Sequence, residues 1–197
     1  MSAWGASARI TPMSTIEPSN TLVIRSAMPS DYDSALQLDH TDSTDFVWQM
    51  AHDTLESTIN VAFRPERLPR SMKVLYPRSG DALLRSWQLH NCFLIAEWDE
   101  ILVGYVNVRE EVAQETAWVA DLVVDRAARL RGIGTALLRG ARDWALETRL
   151  RRLIVETQTK NYPAIRFLQK RGLVFCGYND LFYPNQDIAV FFGQMLR

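Results

Sequence analysis

The sequence predicts an α/β domain: a mixed sheet in which an antiparallel meander leads into a parallel pair, with helices packed on it. Three observations carry this. First, Cys92–Trp98 (CFLIAEW) and Ile101–Arg109 (ILVGYVNVR) are apolar, β-rich runs split by Asp99-Glu100, a hairpin pattern. Thr116–Val124 adds a third strand after a turn around Val112–Glu115. Second, Ile133, Leu137, Leu138, Ala141, Trp144 and Ala145 recur at the spacing of one buried helix face, with Arg139, Arg142 and Glu147 opposite. Third, Arg151–Gln158 (RRLIVETQ) is another strand, and a strand–helix–strand unit runs its two strands parallel.

Taken in order, residues 1–20 are rich in Ser, Ala, Thr and Pro and show no hydrophobic period. They predict a disordered tail without the apolar core of a secretory signal, ahead of a single domain over 21–197. Thr21–Arg25 is a short strand. Pro29 opens a helix, with Tyr32, Leu36 and Leu38 as its buried positions, and Asp39–Asp45 breaks the pattern. Phe46–Val61 predicts a second helix, with an irregular apolar face of Phe46, Met50 and Leu55 and Trp48 nearby. Phe63–His90 carries Arg64, Arg67, Arg70, Lys73, Arg78 and Arg85, punctuated by Pro65, Pro69 and Pro77. Its simplest account is a solvated surface segment; a lid or dimer element beside an acceptor site is the alternative. Downstream, NYPAIRFLQKRGL is a helix with Pro163 in its first turn, Ala164, Ile165, Phe167 and Leu168 as its apolar side, and Gly172 just past its end. Two strands, LVFCGYNDLFYP and DIAVFFGQML, close the chain around Pro184-Asn185-Gln186.

Composition removes several classes. The 197 residues are 47% apolar and 23% charged with a net charge of −1, so no broad basic face for nucleic acid is expected. No apolar run is long enough to span a membrane. Cys92 and Cys176 both fall in predicted strands, which predicts buried, reduced thiols and a reducing cytoplasm rather than a disulfide framework.

Function concentrates in Ala120–Glu147. Between strand and helix lies Asp125–Arg131, with Arg126, Arg129 and Arg131; Gly132 and Gly134 then open the helix. The first N–H groups of a helix have no internal partner, the helix dipole favours negative charge there, and glycine lets an anion approach the backbone. Arg129 and Arg131 add charge beside it, so the stretch should hold a diphosphate. A nucleotide P-loop is excluded, because no Lys followed by Ser or Thr comes after the glycines. A dinucleotide fingerprint needs a third glycine where Leu137 stands. It also begins directly after its strand, whereas seven residues intervene here, although Glu156 falls near the place of its ribose-binding acid. The form that fits is R-x-x-G-x-G, Arg129 to Gly134.

RLRGIG between a strand and a helix, within this element order, resembles the GNAT superfamily of acyl-CoA N-acyltransferases from about Thr21 to Arg197. VETQTKNYPAIRFLQKRGL looks like that family's second acetyl-CoA motif, with Asn161, Ala164 and Phe167 at its positions. The run ETQ, CGYNDLFYP and the ending DIAVFF resemble the streptothricin-acetyltransferase branch. The resemblance implies the GNAT fold, with the parallel pair splayed at the cofactor site, and acetyl-CoA as acyl-donor cosubstrate without a metal. The pantetheine arm would pair with backbone groups of Val123 and Val124. The diphosphate would take N–H groups from Arg131 through Gly132, Ile133 and Gly134 to Thr135. Asn161 and Phe167 would contact the cofactor, and Val124 N–H would serve the oxyanion.

A primary amine would attack directly, and its ammonium needs a base. Asp121 and Glu156 are the candidates, with Asp180 a third acceptor contact; these acids favour a cationic small molecule or a protein lysine as acceptor. The tyrosine that often protonates the leaving thiolate is replaced by Leu168; Tyr162, Tyr178 and Tyr183 are substitutes that the sequence does not separate. Homodimers are common in the family. The missing tyrosine keeps a non-catalytic acyl-CoA sensor open as the alternative, while Leu137 and the seven-residue loop disfavour a nicotinamide oxidoreductase.

Overall fold

The computed structural model describes residues 21–197 apart from 56 and 79, so the N-terminal tail expectation lies outside the described residues. β1 (Leu22–Ser26) and α1 (Asp31–Leu36) precede a long ribbon of β2 (Asp42–Leu55) and β3 (Thr58–Val74). Then come α2 (Asp81–Gln88), β4 (Cys92–Trp98), β5 (Ile101–Glu111), β6 (Thr116–Val124), α3 (Ile133–Glu147), β7 (Arg152–Gln158), α4 (Tyr162–Lys170), β8 (Val174–Asn179) and β9 (Ala189–Met195). Seven strands form one sheet in the order β1-β4-β5-β6-β7-β9-β8, and β2-β3 form a separate ribbon.

Every neighbour pair in the large sheet is antiparallel except β6 and β7. That parallel pairing runs only from Thr116–Arg152 to Val119–Val155. Beyond it β6 stays paired with β5 as far as Val124, and β7 with β9 as far as Gln158. The two strands therefore splay, as expected, and the gap between them is where the site forms.

One core lies between the sheet and α3 and α4, built on Val106, Val108, Val119, Leu153, Leu137 and Phe192. On the other face, α1 and α2 cover Phe93, Ile95 and Tyr105; the ring of Trp87 from α2 packs edge-on against Phe93 and Tyr105, and those two stack, all 5.1–5.3 Å apart. In α3, Ile133, Leu137, Leu138, Ala141 and Ala145 are buried as the periodicity predicts, and Trp144 is half-buried. In α1, Tyr32 and Leu36 are half-buried, as is Leu38 just beyond.

Three expectations fail. Phe46–Val61 is not a helix; it forms most of β2 and the start of β3. The decisive spacing is two, not 3.6: Phe46, Trp48 and Met50 lie on one face of β2. Trp48 packs on Phe63 of β3 at 5.9 Å, and both rings meet Phe175 of β8. Trp48 N–H also donates to Thr159 C=O at 2.9 Å, which ties the ribbon to the end of β7. Next, Phe63–His90 is not one surface segment: it supplies β3, α2 and, between them, part of the site. Pro65 and Pro69 are tolerated in β3 because a two-stranded ribbon leaves one edge of each strand unpaired. Finally, Cys92 is buried but Cys176 is exposed, since β8 is the outer strand of the sheet. Among the described residues no helix is long and apolar enough to cross a membrane.

Gly104 of β5 fixes how closely the sheet approaches itself beside the gap. A Cβ there would stand 2.7 Å from the Val123 carbonyl oxygen, which belongs to the backbone and cannot swing away. Gly104→Ala is expected to cost ~1–3 kcal/mol, the usual range for overpacking, read as a lower urea midpoint with an unchanged m-value.

Candidate active site

The gap between β6 and β7 opens into a cavity of about 460 Å³. Leu122, Val123 and Val124 form one wall and Val155 to Gln158 the other; the start of α3 closes one end. Of the residues expected from the sequence to bind cofactor, Val123, Val124, Arg129, Gly132, Ile133, Gly134, Thr135, Asn161 and Phe167 all line it.

At the α3 end, Leu130 and Gly132 both adopt left-handed backbone, φ 65° and 86°. Thr135 and Ala136 N–H return to Gly132 C=O at 3.0 Å, which starts the helix and leaves the N–H groups before them without a helical acceptor. A Cβ at Gly134 would meet the Phe167 ring at 3.6 Å and Val124 Cγ2 at 3.7 Å, so the glycine holds open space along this wall. These N–H groups, the helix dipole and the glycine clearance together fit a diphosphate.

The arginines do not behave as expected. Arg129 is fully engaged: Nε donates to Val124 C=O at 2.9 Å, Nη2 to Thr41 C=O at 2.9 Å, and Nη1 pairs with Asp42 at 3.1 Å. It clamps the end of β6 to the start of β2 instead of offering a free charge. The Arg131 guanidinium lies over the Trp98 ring at 5.7 Å and does not line the cavity. What the start of α3 offers to an anion is therefore backbone N–H rather than a free arginine side chain. Asn161 lines the cavity while its side chain caps α4, accepting from Ala164 N–H at 3.1 Å.

At the opposite end sits Glu156, its side chain 1% exposed. It accepts from Trp118 Nε1 at 2.6 Å and Tyr183 OH at 3.3 Å, and it is bonded to Arg78 Nη2. Burial pushes its carboxyl up to about 7, against the opposing pull of Arg78 and Trp118. A carboxylate poised there suits proton transfer near neutral pH.

Asp121 is not in the cavity. Its side chain points to α2, fully buried, and accepts from Tyr76 OH at 2.6 Å, Asn107 Nδ2 at 2.7 Å, Ser86 Oγ at 3.3 Å and Arg78 Nη1 at 3.4 Å. Every lone pair has a donor, so this acid holds Tyr76 and Arg78 in place rather than meeting an acceptor. Tyr162 is also displaced: as the first residue of α4 it packs on Phe46 of β2 at 5.3 Å, outside the cavity lining. Tyr178 lies on β8 against Phe63, and Asp180 is exposed beyond β8; neither reaches the cavity. Tyr183 does, as does Leu168, which presents an apolar surface where the expected tyrosine would stand.

Sequence reasoning missed His40, Tyr76 and Arg78, all cavity-lining. His40 bonds Leu38 C=O through Nδ1 at 2.7 Å and Tyr105 OH through Nε2 at 3.0 Å, and burial lowers its pKa, so it is a neutral ring. Burial raises the Tyr76 and Tyr183 hydroxyls well above the usual value, so both keep their protons. The only sequence signal for any of these was the positive charge of Arg78 in a stretch with no pattern.

The sequence matches the acetyltransferase (GNAT) family model over residues 55–173. The chain belongs to that family. Streptothricin acetyltransferase A of Bacillus subtilis (strain 168) is 34% identical over 93 residues, 45% of this chain and 53% of its own length. Streptothricin acetyltransferase of Streptomyces lavendulae is 31% identical over 91 residues, 46% and 48% of the two chains. This GNAT chain thus spans about half the length of the curated relatives it matches. The solved structure of a nourseothricin acetyltransferase shares the fold with a TM-score of 0.77 at 22% identity, covering 89% of this chain and 99% of that one. A putative streptothricin acetyltransferase from Bacillus anthracis str. Ames, solved in complex with acetyl-coenzyme A, does so with a TM-score of 0.70 at 21% identity and the same coverage.

Proposed function

We propose that this GNAT-family chain transfers an acetyl group from acetyl-CoA to a primary amine of a small cationic molecule. The observation that carries it is one continuous cavity with a backbone diphosphate cradle at one end and Glu156, raised to about 7, at the other. The thioester of acetyl-CoA supplies the activated acetyl group. Val123 and Val124 offer the backbone edge along which an extended arm pairs, and Val124 N–H is the donor assigned to the developing oxyanion. Glu156 takes the proton from the ammonium, directly or through water. Tyr183, protonated and bonded to Glu156, is the side-chain donor closest at hand for the leaving thiolate, in place of the absent tyrosine at Leu168. The cationic acceptor rests on Glu156 and on the names of the streptothricin-acetylating relatives, since Asp121 and Asp180 lie outside the cavity.

The test has two steps. Acetyl-CoA is titrated into purified protein by calorimetry, and thiol release is then followed across a panel of amines that includes streptothricin. The expected result is saturable binding and amine-dependent release above the hydrolysis rate. Binding without release for any amine would leave a sensor of the same fold, and no binding would remove the proposal.

A further inference from the structure

Among the described residues, Arg78 is the one cation paired with both Asp121 of β6 and Glu156 of β7: Nη1 lies 3.4 Å from Asp121 Oδ1, and Nη2 is bonded to Glu156 Oε1. Its side chain is 14% exposed and comes from the connection between β3 and α2. The elements around it hold it there. The register between β5 and β6 slips at this point: Asn107 faces Asp121 and Val108 faces Val119, so Ala120 is the extra residue of a bulge. The Ala120 C=O accepts from Arg78 Nη1 at 3.4 Å, and the guanidinium lies over the Tyr183 ring at 5.7 Å. Asp121 is itself fixed by Tyr76, Asn107 and Ser86, so a chain of contacts runs from α2 and β5 through Asp121 and Arg78 to Glu156.

We propose that Asp121 is a positioning residue for acetyl transfer: through Arg78 it holds Glu156 in place and offsets the guanidinium charge, so that Glu156 remains a competent proton acceptor; this rests on the base role proposed for Glu156 above. One guanidinium compensates one carboxylate. Shared between two buried acids, it leaves one of them short of positive charge. That one is Glu156, because Asp121 accepts from four donors and Glu156 from three. Among the described residues, Glu156 Oε1 takes Arg78 and Tyr183 while Oε2 takes Trp118 alone, so the room for a proton is on Oε2. An isolated Arg78–Glu156 pair would hold the carboxylate low and make it a poor base at neutral pH. The groups facing Glu156 agree with this division. Burial raises its carboxyl, Arg78 of the β3–α2 connection and Trp118 of β6 lower it, Asp121 of β6 raises it, and Arg109 of β5 lowers it. Tyr183, from the β8–β9 connection, faces it as a protonated hydroxyl. Asp121 and Arg78 therefore act in opposite directions on the same proton.

The experiment titrates Glu156 by carboxyl ¹³C NMR in glutamate-labelled protein, with the signal assigned by its loss in Glu156→Gln. It also follows kcat/KM against pH for streptothricin, or for whichever amine of the panel is acetylated fastest. Wild type is compared with Asp121→Asn and Arg78→Gln. The midpoint is expected to fall by about one pH unit or more in Asp121→Asn and to rise by about as much in Arg78→Gln, the scale of one close charge. The inflection of the rate profile is expected to move with it, while acetyl-CoA binding by calorimetry stays within about twofold in both variants. If Asp121→Asn does not fold, Arg78→Gln decides alone, since its position lies in a connection outside helix and strand. A midpoint that stays at the wild-type pH in Arg78→Gln overturns the positioning role and leaves the base role standing. Midpoints that move in the same direction in both variants also overturn it, because they report disturbed packing rather than charge. A midpoint that moves under an unmoved rate profile removes Glu156 as the base, and the role of Asp121 falls with it. Turnover of no amine by wild type removes both.

Discussion

Glu156→Gln is expected to lower kcat/KM for the amine by about 10²–10⁴, the range for removing a positioned general base, with acetyl-CoA affinity within about twofold. Glutamine keeps one oxygen to accept from Arg78 and Tyr183 but sets its NH2 against Trp118 Nε1, which donates to the other carboxylate oxygen, so acetyl-CoA binding is the control that separates loss of the proton acceptor from this disturbed contact. The wild-type rate should rise with pH and level off above about 7, where the carboxyl ionises, and the variant should show no such inflection. The same shift gives a stability signature. Glu156 titrates at about 7 in the fold against 4.5 for the unperturbed group, so between these values the native state holds a proton that the unfolded chain has released. Its contribution is fully present below 4.5 and is lost as pH rises through about 7. The variant lacks this term, so its melting temperature should gain on wild type across that window. Asp31 and Asp39, held low by hydrogen bonds from Arg25 and Thr41, act in the opposite sense but are common to both proteins and cancel. A rate loss below about threefold, or an unmoved pH profile, would make Glu156 only the structural partner of Arg78.

From Cys92 to Gly172 the fold could be read because each element there declares itself locally. The hairpin has its turn at Asp99-Glu100, where both residues indeed adopt positive φ, and α3 and α4 carry their start and stop residues in the sequence. The ribbon misled because Phe46 and Met50 are four residues apart, a spacing that satisfies both a helix face and a strand face; Trp48 between them satisfies only the strand. In the site, the residue types of the RLRGIG loop were legible but the directions of its arginine side chains were not. What turns Arg129 back is a pair of carbonyls and an acid on β2 and β6, and what draws Arg131 out is Trp98. Asp121 and Glu156 looked equivalent as strand acids, yet one faces α2 and the other the cavity. Tyr76 and Arg78 become meaningful only through partners 45 and 78 residues away, and no local pattern encodes those contacts.

Gly134→Leu is expected to abolish acetyl-CoA binding, by more than about 100-fold, while leaving the melting temperature within a few degrees. The two halves follow from the same geometry. A Cβ at Gly134 finds ordinary contact distances to Phe167 and Val124, so the backbone accepts a side chain, and leucine is a better helix residue than glycine. Its remaining carbons have nowhere to go but the cavity, against the N–H groups that would hold a diphosphate. Gly132 makes the reverse case. It sits at φ 86° with nothing near its missing Cβ, so Gly132→Ala blocks no space but strains the turn by ~1–2 kcal/mol. Stability lost at Gly132 with binding largely kept, against binding lost at Gly134 with stability kept, is a pair of outcomes that only an anion seated at the start of α3 produces. If Gly134→Leu binds acetyl-CoA like wild type, the nucleotide lies elsewhere, and the loop is a turn that serves the fold alone.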